Sequence, residues 1–101
     1  VKEPQTERER VLAEASNLIA GDRNSDYGEP YDDFATTAEF WTTYLQRIVA
    51  RRGSLELKAH DVAALMMLLK TARITWTHNK KDHWLDAAGY AACGWECCEL
   101  E

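Results

Sequence analysis

Val62-Ala-Ala-Leu-Met-Met-Leu-Leu69 is the longest apolar run in the chain, with Asp61 before it and Lys70 and Arg73 after it. It is far shorter than the roughly 20 residues needed to cross a bilayer. It reads instead as the middle of a helix over 57–77. A helix that is apolar on every side is buried on every side. In 101 residues this one is expected to be central, or covered by a second subunit.

Towards the N-terminus, Phe34, Ala38, Trp41, Leu45 and Ile48 recur at helical spacing. They predict a helix over 31–51, opened by Pro30 and closed by Arg51, Arg52 and Gly53. Before it, Gly21-Asp-Arg-Asn-Ser-Asp-Tyr-Gly-Glu-Pro30 reads as a polar loop. Thr6-x-x-Glu9 is a capping-box pattern, followed by Val11, Leu12, Ala15, Leu18 and Ile19, which places a helix over 7–20 with Gly21 as its stop. Towards the C-terminus a helix is expected over 83–99. Trp84, Ala87, Ala88, Ala91, Trp95 and Cys98 form one stripe on it, and Asp82, Asp86, Gly89, Cys93 and Cys97 the opposite one. Both stripes are expected to be covered, with Gly89 marking a close approach and the acidic end opening into a cleft. The expected fold is all-α: a compact four-helix up-and-down bundle in one domain over 1–101, with 1–6 as a flexible segment. Oligomerisation into a homodimer or homotetramer would complete it.

Hydrophobic residues make up 46% and charged residues 29%, a globular composition. A formal net charge of −5 disfavours nucleic-acid polymers as partners, since no basic stripe neutralises phosphates. No membrane span is expected, and the charged first ten residues do not read as a signal peptide. Three cysteines crowded into residues 93–98 suit a reducing, cytoplasmic setting; their spacing is poor for zinc and they are expected to be buried.

The residues that carry chemistry are mostly acidic. Asp82 and Asp86 share a helix face at i,i+4, and Asp61 opens the preceding helix. Two or three such carboxylates in a cleft suit Mg2+, which takes a few carboxylates plus water and phosphate oxygens. Each also has a plain reading: Asp82 as an N-cap, Asp61 as a partner of the helix dipole. Lys70 and Arg73, about one turn apart, fit a phosphate clamp, or equally a helix C-terminus or an ion pair with Asp82 or Asp86. Arg23, Asn24, Asp26 and Tyr27 could hydrogen-bond and stack a base or sugar, and their ten-residue segment exceeds the usual connector.

Three blocks carry a resemblance: Gly21-Asp-Arg-Asn-Ser-Asp-Tyr-Gly28, Asp61 through Arg73, and Asp82-His-Trp-Leu-Asp-Ala-Ala-Gly-Tyr90. Together they look like a small phage-encoded domain of unassigned function, itself similar to the MazG-like all-α nucleoside triphosphate pyrophosphohydrolases. That family implies a helical homo-oligomer that holds Mg2+ on acidic residues of two neighbouring helices and cleaves a nucleoside triphosphate to monophosphate and pyrophosphate. On this reading Asp61, Asp82 and Asp86 hold the metal, and Lys70 and Arg73 are the catalytic cations. Arg23, Asn24, Asp26, Tyr27 and Tyr90 hold the nucleotide, in the host bacterial cytoplasm. The usual E-x-x-E pair is missing, and Asp82-x-x-x-Asp86 replaces the usual E-x-x-D. Two other functions stay open: a nucleotide binder of the same fold without turnover, and a helical module that binds a host or phage protein through its tryptophans.

Overall fold

Helix boundaries fall where local caps and breakers put them. The computed structural model describes residues 5–21 and 23–101, with Arg23 and Asn24 described by their backbone. α1 spans Glu7–Ala20, and its Thr6–Glu9 capping box is formed in both directions at 3.0 and 3.2 Å. α3 spans Pro30–Arg52, with proline at its start and Gly53 in the left-handed conformation as its stop. α4 spans Ala59–Trp76 and α5 spans Lys81–Leu100. The segment expected as a loop contains a short helix, α2, over Arg23–Tyr27. No strand occurs among the described residues, and no helix among them is long and apolar enough to cross a membrane.

α4 is central in a single copy of the chain, but it is not buried on every side as expected: Leu65 is the one buried residue of the Val62–Leu69 run, and Val62 is 54% exposed. It packs along α5 and α3, and α2 sits against it, whereas α3 and α5 do not pack on each other. α1 packs on α2 alone. The compact four-helix bundle is therefore corrected to a three-helix layer with α1 projecting from one end. The extents are 61 × 31 × 23 Å and the radius of gyration is 17.4 Å, against about 13 Å for a compact chain of this length. The physical reason is that the apolar stripe of α1 is largely uncovered: Val11, Leu12, Leu18 and Ile19 are all more than half exposed.

Two helices are rotated from their expected faces. On α3 the covered stripe is Asp33, Thr37, Trp41, Tyr44 and Ile48, while Phe34 and Ala38 are exposed. Trp41 Nε1 donates to the Leu65 carbonyl at 2.7 Å, tying that stripe to the middle of α4. On α5 the covered residues are His83, Ala87, Tyr90, Gly94 and Cys97, which lie at helical spacing on neither expected stripe except for Ala87 and Cys97. Trp84, Trp95, Cys93 and Cys98 are exposed, so the expected burial of the cysteines fails for those two; Cys97 is half-buried. The close approach expected at Gly89 occurs at Gly94, where an added Cβ would stand 3.0 Å from the Ala63 Cβ; Gly89 has open space.

Candidate functional site

Among the described residues, the fully buried set is mostly polar. Ile48, Leu65 and Ala72 are its only hydrophobic members, against Asp33, Thr37, Asp61, Lys70, Arg73 and His83. Buried charges are rare unless paired. These gather at the two ends of α4.

At the N-terminal end, Asp61 is 0% exposed. Arg52 donates to both its oxygens, at 2.8 and 2.9 Å. The Tyr44 hydroxyl donates at 2.7 Å and the Lys58 backbone N–H at 2.8 Å. The Arg52 guanidinium holds the Asp61 carboxyl well below the usual carboxylate range, although burial works the other way. Burial, then the Asp61 carboxylate, pushes the Tyr44 phenol up to about 12. Beside this set, the His60 ring pairs with Glu101, whose carboxyl it lowers. Asp61 thus joins the end of α3 to the start of α4. Lys70 lies nine residues on, about 13 Å along the helix. The structure therefore does not bring Asp61 together with Asp86, which pairs with Lys70.

The other end assembles most of the remaining candidates. Lys70 Nζ meets the Asp86 carboxylate at 2.9 Å. That bond lowers the Asp86 carboxyl, whose side chain is still half exposed. Lys70 and Arg73 lie three residues apart, so they share a face of α4. Arg73 lies 4.2 Å from the centre of the Tyr27 ring, and its Nε faces Asp33 Oδ2 at a long 3.4 Å. Tyr27 in turn lies 5.3 Å from the His83 ring, tilted by 44°. His83 is almost wholly buried, with Nε2 at 3.2 Å from the Asp26 carbonyl oxygen. Asp26 itself pairs with Lys80 at 3.4 Å. Asp82 is exposed in the first turn of α5, and the cap position falls to Lys80 rather than to Asp82. Tyr90 is half-buried on the face of α5 that meets α4. The side chains of Arg23 and Asn24 lie outside the described residues.

A backbone device holds α2 in place. Gly28 has φ +80°, and an added Cβ would stand 3.0 Å from the Trp76 ring. Glycine is needed for the conformation and for the space. Trp76 Nε1 and the Thr77 hydroxyl both donate to the Ser25 carbonyl, at 3.2 and 3.1 Å. Around this turn, Ile19, Tyr27, Gly28, Pro30, Asp33 and Phe34 bound a pocket of about 210 Å³. Asp33 is a buried residue, and its Oδ1 has no hydrogen-bond partner among the described residues. A larger groove of about 520 Å³ runs beside Phe40, Tyr44, Ile48 and Leu68. Its Arg52 is committed to Asp61, and it holds no comparable unpartnered buried group among the described residues.

Among the described residues, no group of three or more His, Cys, Asp or Glu is placed to hold a metal ion. The expected Mg2+ set of Asp61, Asp82 and Asp86 does not fit one ion here: Asp61 is remote and saturated with donors, and Asp86 is held by Lys70.

Asp33 and His83 were not singled out by the sequence pattern. The signal for them was present as helical stripes: Asp33-Thr37-Trp41-Tyr44-Ile48 runs one residue out of phase with the apolar stripe at several positions, and His83 begins the stripe through Tyr90 and Gly94.

The family model described as "Domain of unknown function (DUF6378)" matches residues 10–98. The chain belongs to the DUF6378 family. That match takes in both ends of α4 and the whole of the pocket. Among its relatives, the Gene 55 protein of Mycobacterium phage D29 is 40% identical over 85 residues, covering 84% of this chain and 51% of that protein. The Gene 55 protein of Mycobacterium phage L5 is 36% identical over 81 residues, covering 80% and 47%. The chain therefore spans about half the length of these relatives. No solved structure matches the chain.

Proposed function

We propose that this DUF6378 chain is a nucleotide-binding helical domain, and that its ligand is a nucleoside or deoxynucleoside triphosphate. The observation that carries this reading is Arg73, buried against the Tyr27 and Asp33 walls of the pocket, with the buried Lys70 one turn away on the same face of α4. Desolvating two cations is expensive, and each meets a single carboxylate contact here, Lys70 with Asp86 and Arg73 with Asp33, which leaves donor capacity for anionic oxygens. The half-exposed Asp86 serves as Lys70's exchangeable partner, which a phosphate oxygen can displace. The pocket is smaller than those that bury a whole drug-sized ligand. It suits a single ring system, with sugar and phosphates outside.

Titration calorimetry with a panel of NTPs and dNTPs tests this. Binding that weakens at least tenfold in Lys70→Met supports it, and no binding across the panel overturns it.

A second reading is MazG-like pyrophosphohydrolysis in the host cytoplasm. It is favoured by Asp82 and Asp86 standing one turn apart on α5 beside Lys70. Pyrophosphate released from the same panel with Mg2+, and lost in Asp86→Asn, would select it. A homodimer or homotetramer belongs to this proposal as well, because the exposed stripe of α1 needs a cover. Light scattering coupled to sizing reads the mass directly.

A further inference from the structure

We infer that Asp33 selects the base of the bound nucleotide, and that the pocket takes a ring carrying an exocyclic amino group. This rests on the nucleotide-binding reading above. The pocket offers a ring mostly apolar walls: Ile19, Tyr27, Pro30 and Phe34. Its charged member is Asp33, whose side chain is 4% exposed. Oδ2 is engaged, at 3.4 Å, by Arg73 Nε. Oδ1 accepts nothing among the described residues.

An ionised carboxylate is an acceptor only, with no proton to donate. A buried acceptor left unfilled is costly, so the fitting ligand is one that brings a donor. Planar rings suit the walls, and the edge that reaches Asp33 must carry N–H. An exocyclic amino group does this well, because one of its hydrogens points clear of the ring's own acceptors. The ring N–H of uracil or thymine does it poorly. It lies between two carbonyl oxygens, which would face the carboxylate. A site built around one acceptor therefore favours cytosine, adenine or guanine over uracil or thymine.

Arg73 sharpens the arrangement. It stands over the Tyr27 ring and holds Oδ2 by one long contact, which leaves Oδ1 as the oxygen for a ligand; that atom is buried, and a small turn of the carboxylate brings it to the ring edge. Gly28 fixes the same wall from the other side, under Trp76.

The test uses pairs of nucleotides that differ at one group: dCTP against dUTP, and dATP against the deoxynucleoside triphosphate of unsubstituted purine. Affinities are measured by calorimetry on the intact chain. The wild-type protein should prefer the amino-bearing member by about tenfold or more, the range of a hydrogen bond to a charged acceptor. In Asp33→Asn the amide can turn to present either a donor or an acceptor, so the preference should fall to within about threefold. The preference is a ratio within one protein, so partial loss of stability in the variant cancels. Equal wild-type affinity for dCTP and dUTP overturns the inference while leaving nucleotide binding intact. So does a preference that survives in Asp33→Asn. Failure of the wild type to bind any of the four overturns the nucleotide-binding reading, and this inference with it.

Discussion

Asp61 and Asp33 are both buried aspartates that fasten α3 to α4, at opposite ends of α4, and each faces an arginine. Asp61 receives two bonds from Arg52, one from Tyr44 and one from the Lys58 backbone, all within 2.9 Å. Asp33 receives one long contact from Arg73 and leaves an oxygen bare among the described residues. The first is a closed joint: a carboxylate with its lone pairs filled has nothing to offer a ligand. The second is incomplete, and it lies in a pocket wall beside the buried Arg73. Similar burial thus separates into a closed joint and an open one once the bonds are followed atom by atom.

Five measurements break or sharpen this contrast. The largest effect is expected at the closed end. Asp61→Ala removes the shared acceptor of Arg52, Tyr44 and the Lys58 N–H and should destabilise the chain by about 2 kcal/mol in denaturant unfolding. A loss under about 1 kcal/mol would mean that the joint contributes little.

Acid should act on the same residue. The folded Asp61 carboxyl is held below its unfolded value, so its contribution is fully present above about pH 4. It should be lost as pH falls further, and the slope of stability between pH 4 and 2 should shrink in Asp61→Asn. At the alkaline limit, Tyr44 has a folded value of about 12 against an unfolded value near 10. Its contribution is present below about pH 10 and lost as pH rises through 12. Ultraviolet titration should show one late phenol that disappears in Tyr44→Phe.

Gly28→Ala should cost about 1–2 kcal/mol, because the positive φ and the Trp76 ring both oppose a Cβ. Since Gly28 seats the pocket wall, nucleotide affinity should fall with it. The smallest effect on stability is expected at the open end. Asp33→Asn should change it by less than about 1 kcal/mol, since only one long contact is at stake. A loss as large as that of Asp61→Ala would show that Asp33 is a second structural joint.

Local chemistry made the helices legible. The Thr6–Glu9 box, Pro30 and Gly53 act within a few residues of themselves, and α1 begins and ends at the expected residues. Lys70, Arg73, Asp86, Asp26 and Tyr27 were also recognisable as chemistry-bearing, and the structure gathers them at one end of α4. The short α2 was not legible. Its five residues are rich in turn formers, and the backbone is held by bonds from Trp76 and Thr77, some fifty residues away.

The sequence by itself determined that the chain is helical, where its long helices run, and that the Val62–Leu69 helix lies at the centre. Those outcomes follow from period, caps and the need to bury apolar surface. Only the tertiary structure decided which face of α3 and α5 turns inward. On α3, the stripes through Phe34 and through Asp33 share Trp41 and Ile48 and differ by a small rotation about the helix axis. The long-range bonds of Trp41, Tyr44 and Asp33 to α4 select between them. That rotation sends Phe34 to an exposed pocket wall and buries Asp33, and it is why a carboxylate with no apparent role in the sequence becomes the unpaired acceptor of the site.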